Sequence, residues 1–187
     1  LKLLFTNSNY NFFHNASIGV VSNSDSLLKS NYGKSIDSND IVIRFNEFNK
    51  NIKSNDINIH IGSKLDVYCH FYCNTPPIFD ISNLKHWFVS SVEIQNDVSK
   101  YIPYKIPSTI LLNKKMRSGF ETTGLTMIRW IVNNISFKEL NLYGFASGYN
   151  SHYYNTSDQM LPWHNMKYEK NAIKEIISTN VKIKLFK

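Results

Sequence analysis

The sequence predicts an α/β fold: a Rossmann-like sandwich in which a central, mostly parallel sheet is flanked by helices, with residues 1–187 forming one domain. Three observations carry that prediction. Short apolar, β-branched runs alternate along the chain with helical signals, the pattern of strand and crossover. The strand runs end in polar turns, as strands do where an open sheet meets solvent. One helical segment, residues 123–134, is apolar on most sides and must be buried.

The elements follow in order. Residues 18–21 form a short apolar strand that ends in the turn Ser22-Asn23-Ser24-Asp25-Ser26. Leu27 and Leu28 begin a short helix that Gly33 is expected to close. Ile41-Val42-Ile43-Arg44-Phe45 reads as the second strand, and residues 65–72 and 87–90 as further strands. Pro76-Pro77, Pro103 and Pro107 mark loops, and residues 109–112 are a weaker strand. After the buried helix, residues 140–145 form a strand ending at Tyr-Gly-Phe. Residues 146–162 are polar, aromatic and irregular, the character of a functional loop. A last helix over about 165–178 precedes a strand over 181–186.

Composition narrows the function. Hydrophobic residues make up 42% of the chain, enough for a packed core, which excludes a disordered chain. The formal charge of +7 suits phosphates or an anionic membrane, but the lysines are scattered, so nucleic acid is not expected as a partner. No apolar run approaches the ~20 residues of a membrane span, and residues 1–5 are too short for a signal peptide. Cys69 and Cys73 alternate onto one side of a strand; with no second pair of ligands they read as buried free thiols, and no structural disulfide is expected.

Three places could carry chemistry. Asn23, Ser24 and Ser26 stand at a strand-to-helix junction, where polar side chains and helix amides can hold a nucleotide or where Ser simply caps a helix. Thr122, Thr123 and Gly124 open the buried helix, a setting that suits a phosphate as well as a plain cap. His152-Tyr153-Tyr154-Asn155 and His164 fall in or beside the polar loop. Glu169 lies three and four residues before Ala172 and Ile173 of the last helix's apolar stripe, with Ile176 and Ile177 following. It therefore points inward and needs a basic group or backbone amides as partner. No Asp-x-Asp motif occurs, so no metal is expected to hold a nucleotide sugar.

Four segments together resemble the sialyltransferase family, glycosyltransferase family 29. Residues 18–46, IGVVSNSDSLLKSNYGKSIDSNDIVIRFN, resemble its large motif. Residues 121–145, ETTGLTMIRWIVNNISFKELNLYGF, resemble the small motif, His152-Tyr153-Tyr154-Asn155 the third, and His164 with Glu169 the very small one. The resemblance implies a GT-A-like fold and inverting, metal-independent transfer of sialic acid from a CMP-sugar to a glycan or glycolipid hydroxyl. No cofactor is implied, because the CMP-sugar is a substrate. His164 would be the general base and His152 would bond the CMP phosphate. Asn23, Ser24, Asn46, Thr122, Thr123, Gly124, Phe145 and Tyr153 would form the donor side, with Glu169 in support. CMP-Kdo is the alternative donor, and a non-catalytic nucleotide- or RNA-binding module the alternative class.

The sequence departs from the family pattern in three ways. Ile18 and Phe137 stand where secreted members place a disulfide, which fits a short bacterial-type member in the cytoplasm, peripheral at the inner membrane face. The third motif ends in Asn155 instead of an acid. Ser22 replaces the glycine that precedes the Asn-Ser turn.

Overall fold

The computed structural model describes residues 11–46, 48, 57–71, 86–91, 109–113, 121–145 and 165–186. Among them seven strands form one sheet: β1 (Ser17–Val21), β2 (Ile41–Phe45), β3 (Val67–Phe71), β4 (His86–Ser91), β5 (Thr109–Asn113), β6 (Glu139–Tyr143) and β7 (Ile183–Phe186). Their order is β5-β4-β3-β2-β1-β6-β7, and every pairing is parallel. The helices are α1 (Gly33–Asp37), α2 (Ile57–Ile61), α3 (Thr123–Asn134) and α4 (Met166–Thr179), with 3-10 turns at Asn11–Phe13 and Asp25–Lys29. No described helix is long and apolar enough to cross a membrane.

Parallel strands need crossovers that cover both sheet faces, so their residues are buried whichever way they point. Strands β1 and β2 are buried at every position. Their alternate residues supply two separate cores. Ile18, Val20, Ile41, Ile43, Val67, Cys69, Leu140 and Leu142 pack with α3 and α4; Cys69 is a buried free thiol. Val21, Val42 and Tyr143 pack on the other face with Leu27, Ile36 and Ile61. Ile18 and Phe137 both fall in the first core, so apolar side chains occupy the positions where the resemblance would place a disulfide.

The second face is polar where strands meet short helices. Arg44 is 1% exposed. Its Nη2 donates to the Ile61 carbonyl at 2.7 Å and its Nε to that of Lys64 at 2.9 Å. It thus answers a carbonyl at the end of α2 that the helix itself leaves without a partner. Asn39 donates to the Ser35 and Ile36 carbonyls and accepts from Asn141 at 2.8 Å. A Cβ on Gly19 would lie 2.9 Å from the Asn39 amide, so glycine is required where this bridge crosses β1. At the amino edge, the Ser17 amide and hydroxyl both donate to Asp40 and hold its carboxyl below the ordinary value, with Lys138 and Lys64 adding smaller effects.

Gly33 opens α1 instead of closing the preceding helix, which ends at Lys29. The reason is tertiary. A Cβ at Gly33 would lie 1.9 Å from the Asn58 carbonyl oxygen, so only glycine lets α1 approach α2 this closely.

Candidate active site

Those predicted donor residues that fall among the described residues gather at one edge of the sheet, and the topology explains why. In a parallel sheet all carboxyl ends lie on the same edge. The chain leaves β1 toward the face of Leu27 and Ile36, and leaves β6 toward the face that α4 covers with Ala172 and Ile173. Adjacent strands whose connections depart to opposite faces define the switch point, where a crevice opens. Both α3 and α4 run back against the strands, so their amino ends lie on this same edge. At roughly 1.5 Å per residue, either helix is long enough to cross the sheet.

Hydrogen bonds lace the strand ends together. The Asn23 side-chain amide donates to the Phe45 carbonyl at 2.9 Å, joining the ends of β1 and β2. Asn46 follows in the left-handed region at φ 47°, which asparagine tolerates. Its carbonyl accepts from the Tyr68 hydroxyl at 2.9 Å. Ser24 is fully buried, and its hydroxyl accepts from the Ser26 amide as the cap of the 3-10 turn. The capping alternative therefore describes Ser24 directly. Ser22 donates its hydroxyl to the Gly144 carbonyl at 2.9 Å, linking β1 to β6.

The start of α3 is held from two sides. Thr122 is its N-cap, accepting from the Leu125 amide at 3.2 Å. Glu169, 4% exposed in the first turn of α4, takes the Thr122 amide on one carboxylate oxygen at 2.5 Å and the Thr122 hydroxyl on the other at 2.8 Å. The inward carboxylate has the backbone-amide partner that its helix phase demanded. Thr123 is buried beside it. A Cβ on Gly124 would lie 2.9 Å from the Phe145 ring, so this glycine makes room for Phe145 after β6. On the exposed side, Tyr168 donates to Glu121 at 3.0 Å, and Arg129 pairs with Glu121 at 3.3 Å. That outer link was not legible in the sequence, since its members are 8 and 47 positions from Glu121.

The structure thus brings Thr122 to Glu169, Gly124 to Phe145, and Asn23 to the residue before Asn46. His152, Tyr153 and His164 lie outside the described residues. So does Cys73.

The sequence model of "Glycosyltransferase family 29 (sialyltransferase)" matches residues 16–93, a span that includes β1, β2, β3 and the Ser22–Ser24 turn. Over that span the chain is similar to glycosyltransferase family 29. The family is one of sialyltransferase enzymes, and its match agrees with the fold. A mammalian sialyltransferase crystallised in complex with Gal-beta-1-3GalNAc-ortho-nitrophenol superposes with a TM-score of 0.61 and 22% identity, over 92% of this chain and 70% of that one. A second mammalian sialyltransferase structure gives 0.64 and 21%, over 96% and 71%. At these identities the likeness speaks for the α/β fold. No curated protein sequence matches the chain significantly.

Proposed function

We propose that the chain transfers sialic acid, an ulosonic acid, from a CMP-sugar to a hydroxyl of an acceptor glycan, with inversion and without a metal. One observation carries this reading: in a chain whose residues 16–93 match the sialyltransferase family, the large-motif turn, the small-motif helix start and the Tyr-Gly-Phe strand end share the switch-point edge of one sheet. Helix amides and hydroxyls there suit the phosphate of CMP. At the start of α3 the Thr122 and Leu125 amides are already engaged by Glu169 and the Thr122 hydroxyl, so the Thr123 and Gly124 amides are the candidates for that phosphate, and Asn23, Asn46 and Phe145 border the same edge.

In the reaction the acceptor oxygen bonds to the anomeric carbon of the sugar as the bond from that carbon to the CMP phosphate breaks. The electron pair leaves with CMP, and attack from the opposite side inverts the configuration. The acceptor proton passes to His164, whose neutral imidazole at neutral pH suits a general base. His152 bonds the phosphate as negative charge builds on it. Both roles come from the family resemblance. Glu169 supports the site by fixing Thr122 and is not the base. With no Asp-x-Asp in the sequence, leaving-group charge falls to histidine, hydroxyls and amides.

The donor sugar is tested by following CMP release from CMP-sialic acid and CMP-Kdo in parallel. Faster release from CMP-sialic acid is expected. Faster release from CMP-Kdo would make the chain a Kdo transferase. Release from neither would leave a non-catalytic binding module.

A further inference from the structure

We propose that Ser22 is a positioning residue for the donor: its hydroxyl sets the width of the crevice by tying the turn after β1 to the turn after β6. The inference rests on the CMP-sugar reading above. Ser22 is 5% exposed, and its main chain continues the sheet, with the amide donating to the Tyr143 carbonyl at 3.0 Å. Its hydroxyl donates to the Gly144 carbonyl at 2.9 Å and accepts from the Ser24 amide at 3.2 Å. One side chain therefore uses a donor and an acceptor to join the two turns that depart to opposite faces of the sheet.

The fit is close. Gly144 has φ 76°, and a Cβ there would lie 2.4 Å from the Ser22 oxygen. Gly144 therefore accommodates the serine hydroxyl, and the pair works as a unit. A glycine at position 22 would supply no such bond. The turn that Ser22 holds carries Asn23, which reaches across to β2; the turn it holds against carries Phe145, which packs on Gly124 at the start of α3. Without the hydroxyl, the Gly144 carbonyl and the Ser24 amide each lose a partner. The two walls of the crevice are then no longer tied through this side chain, and the donor must order them on binding. That cost falls on binding and leaves the chemical step alone, so it belongs in KM and not in kcat.

The test is Ser22→Ala, with melting temperature, CMP affinity by titration calorimetry, and steady-state kinetics on CMP-sialic acid. The expected variant is folded, binds CMP ~10-fold more weakly and has KM for the donor raised by about the same factor, with kcat within ~2-fold, the scale of one buried hydrogen bond. A folded variant with unchanged CMP affinity, or one that loses kcat alone, would overturn the proposal while leaving the CMP-sugar reading intact. A wild-type chain that neither binds CMP nor releases it from a donor would overturn both. Should the variant fail to fold, hydrogen exchange on the wild type decides. On adding CMP, peptides covering Ser22–Ser24 and Tyr143–Phe145 should gain protection together, and protection of only one would refute the coupling.

Discussion

His164→Ala is expected to reduce sugar transfer by ~10²-fold or more, the scale of a lost general base, while CMP affinity and melting temperature stay near those of the wild type. The argument has three links. In the chain, His164 directly precedes Asn165, whose side chain caps α4 by accepting from the Tyr168 amide at 3.0 Å. In the fold, the first turn of α4 is fixed to the carboxyl edge of the sheet, because Glu169 is bonded to Thr122 there. In the proposed chemistry, a base is needed where the acceptor hydroxyl meets the donor, and the resemblance to the very small motif assigns that role to His164. If His164 served only to lead the chain into the helix, the variant would lose stability and keep its turnover per folded molecule. Turnover, CMP affinity and melting temperature on one preparation separate the two cases, and a folded, CMP-binding variant with near-normal transfer would remove His164 from the mechanism.

Glu169→Ala is expected to destabilise the protein by about 2–4 kcal/mol, because it leaves the Thr122 amide and hydroxyl without the carboxylate that accepts from both. The burial of Glu169 makes water a poor substitute. The loss should reach the site as well as the fold, since Thr122 caps α3 and Gly124 in the next turn seats Phe145. Glu169→Gln keeps an acceptor oxygen and should lose less. On the proposed mechanism Glu169 positions and does not abstract the proton, so the folded Glu169→Gln enzyme should keep the wild-type pH profile of kcat. Urea unfolding gives the first quantity and a pH series the second. A loss below ~1 kcal/mol in the alanine variant would contradict the clamp. Disappearance of the acid limb of the pH profile in the glutamine variant would make Glu169 the base.

The parts of this architecture that were legible in the sequence are those in which local pattern and burial agree. The run at residues 41–45 reads as a strand, and α3 spans Thr123–Asn134 as its pattern predicts, with buried residues from Thr123 to Ile131. The inward direction of Glu169 followed from helix phase alone. The five-residue helices α1 and α2 are not legible in the sequence because neither is long enough to show a period. In the sequence Gly33 reads as a stop, since glycine usually ends helices, whereas in the fold its role depends on a carbonyl 25 positions away. In the sequence Arg44 is a letter of the large motif and Ser22 a departure from it; what each one holds, the end of α2 and the β6 turn, becomes visible only once non-local strands are paired. Strand order has the same character, because the crossover from β5 to β6 jumps over four strands.

The most direct measurement of the central claim is sialyl transfer from CMP-sialic acid to a glycan acceptor by the purified chain after exhaustive EDTA treatment. The predicted result is one sialylated product for each CMP released, at a rate that EDTA leaves nearly unchanged. Absence of transfer, or transfer that vanishes with EDTA and returns with Mn²⁺ or Mg²⁺, would contradict it.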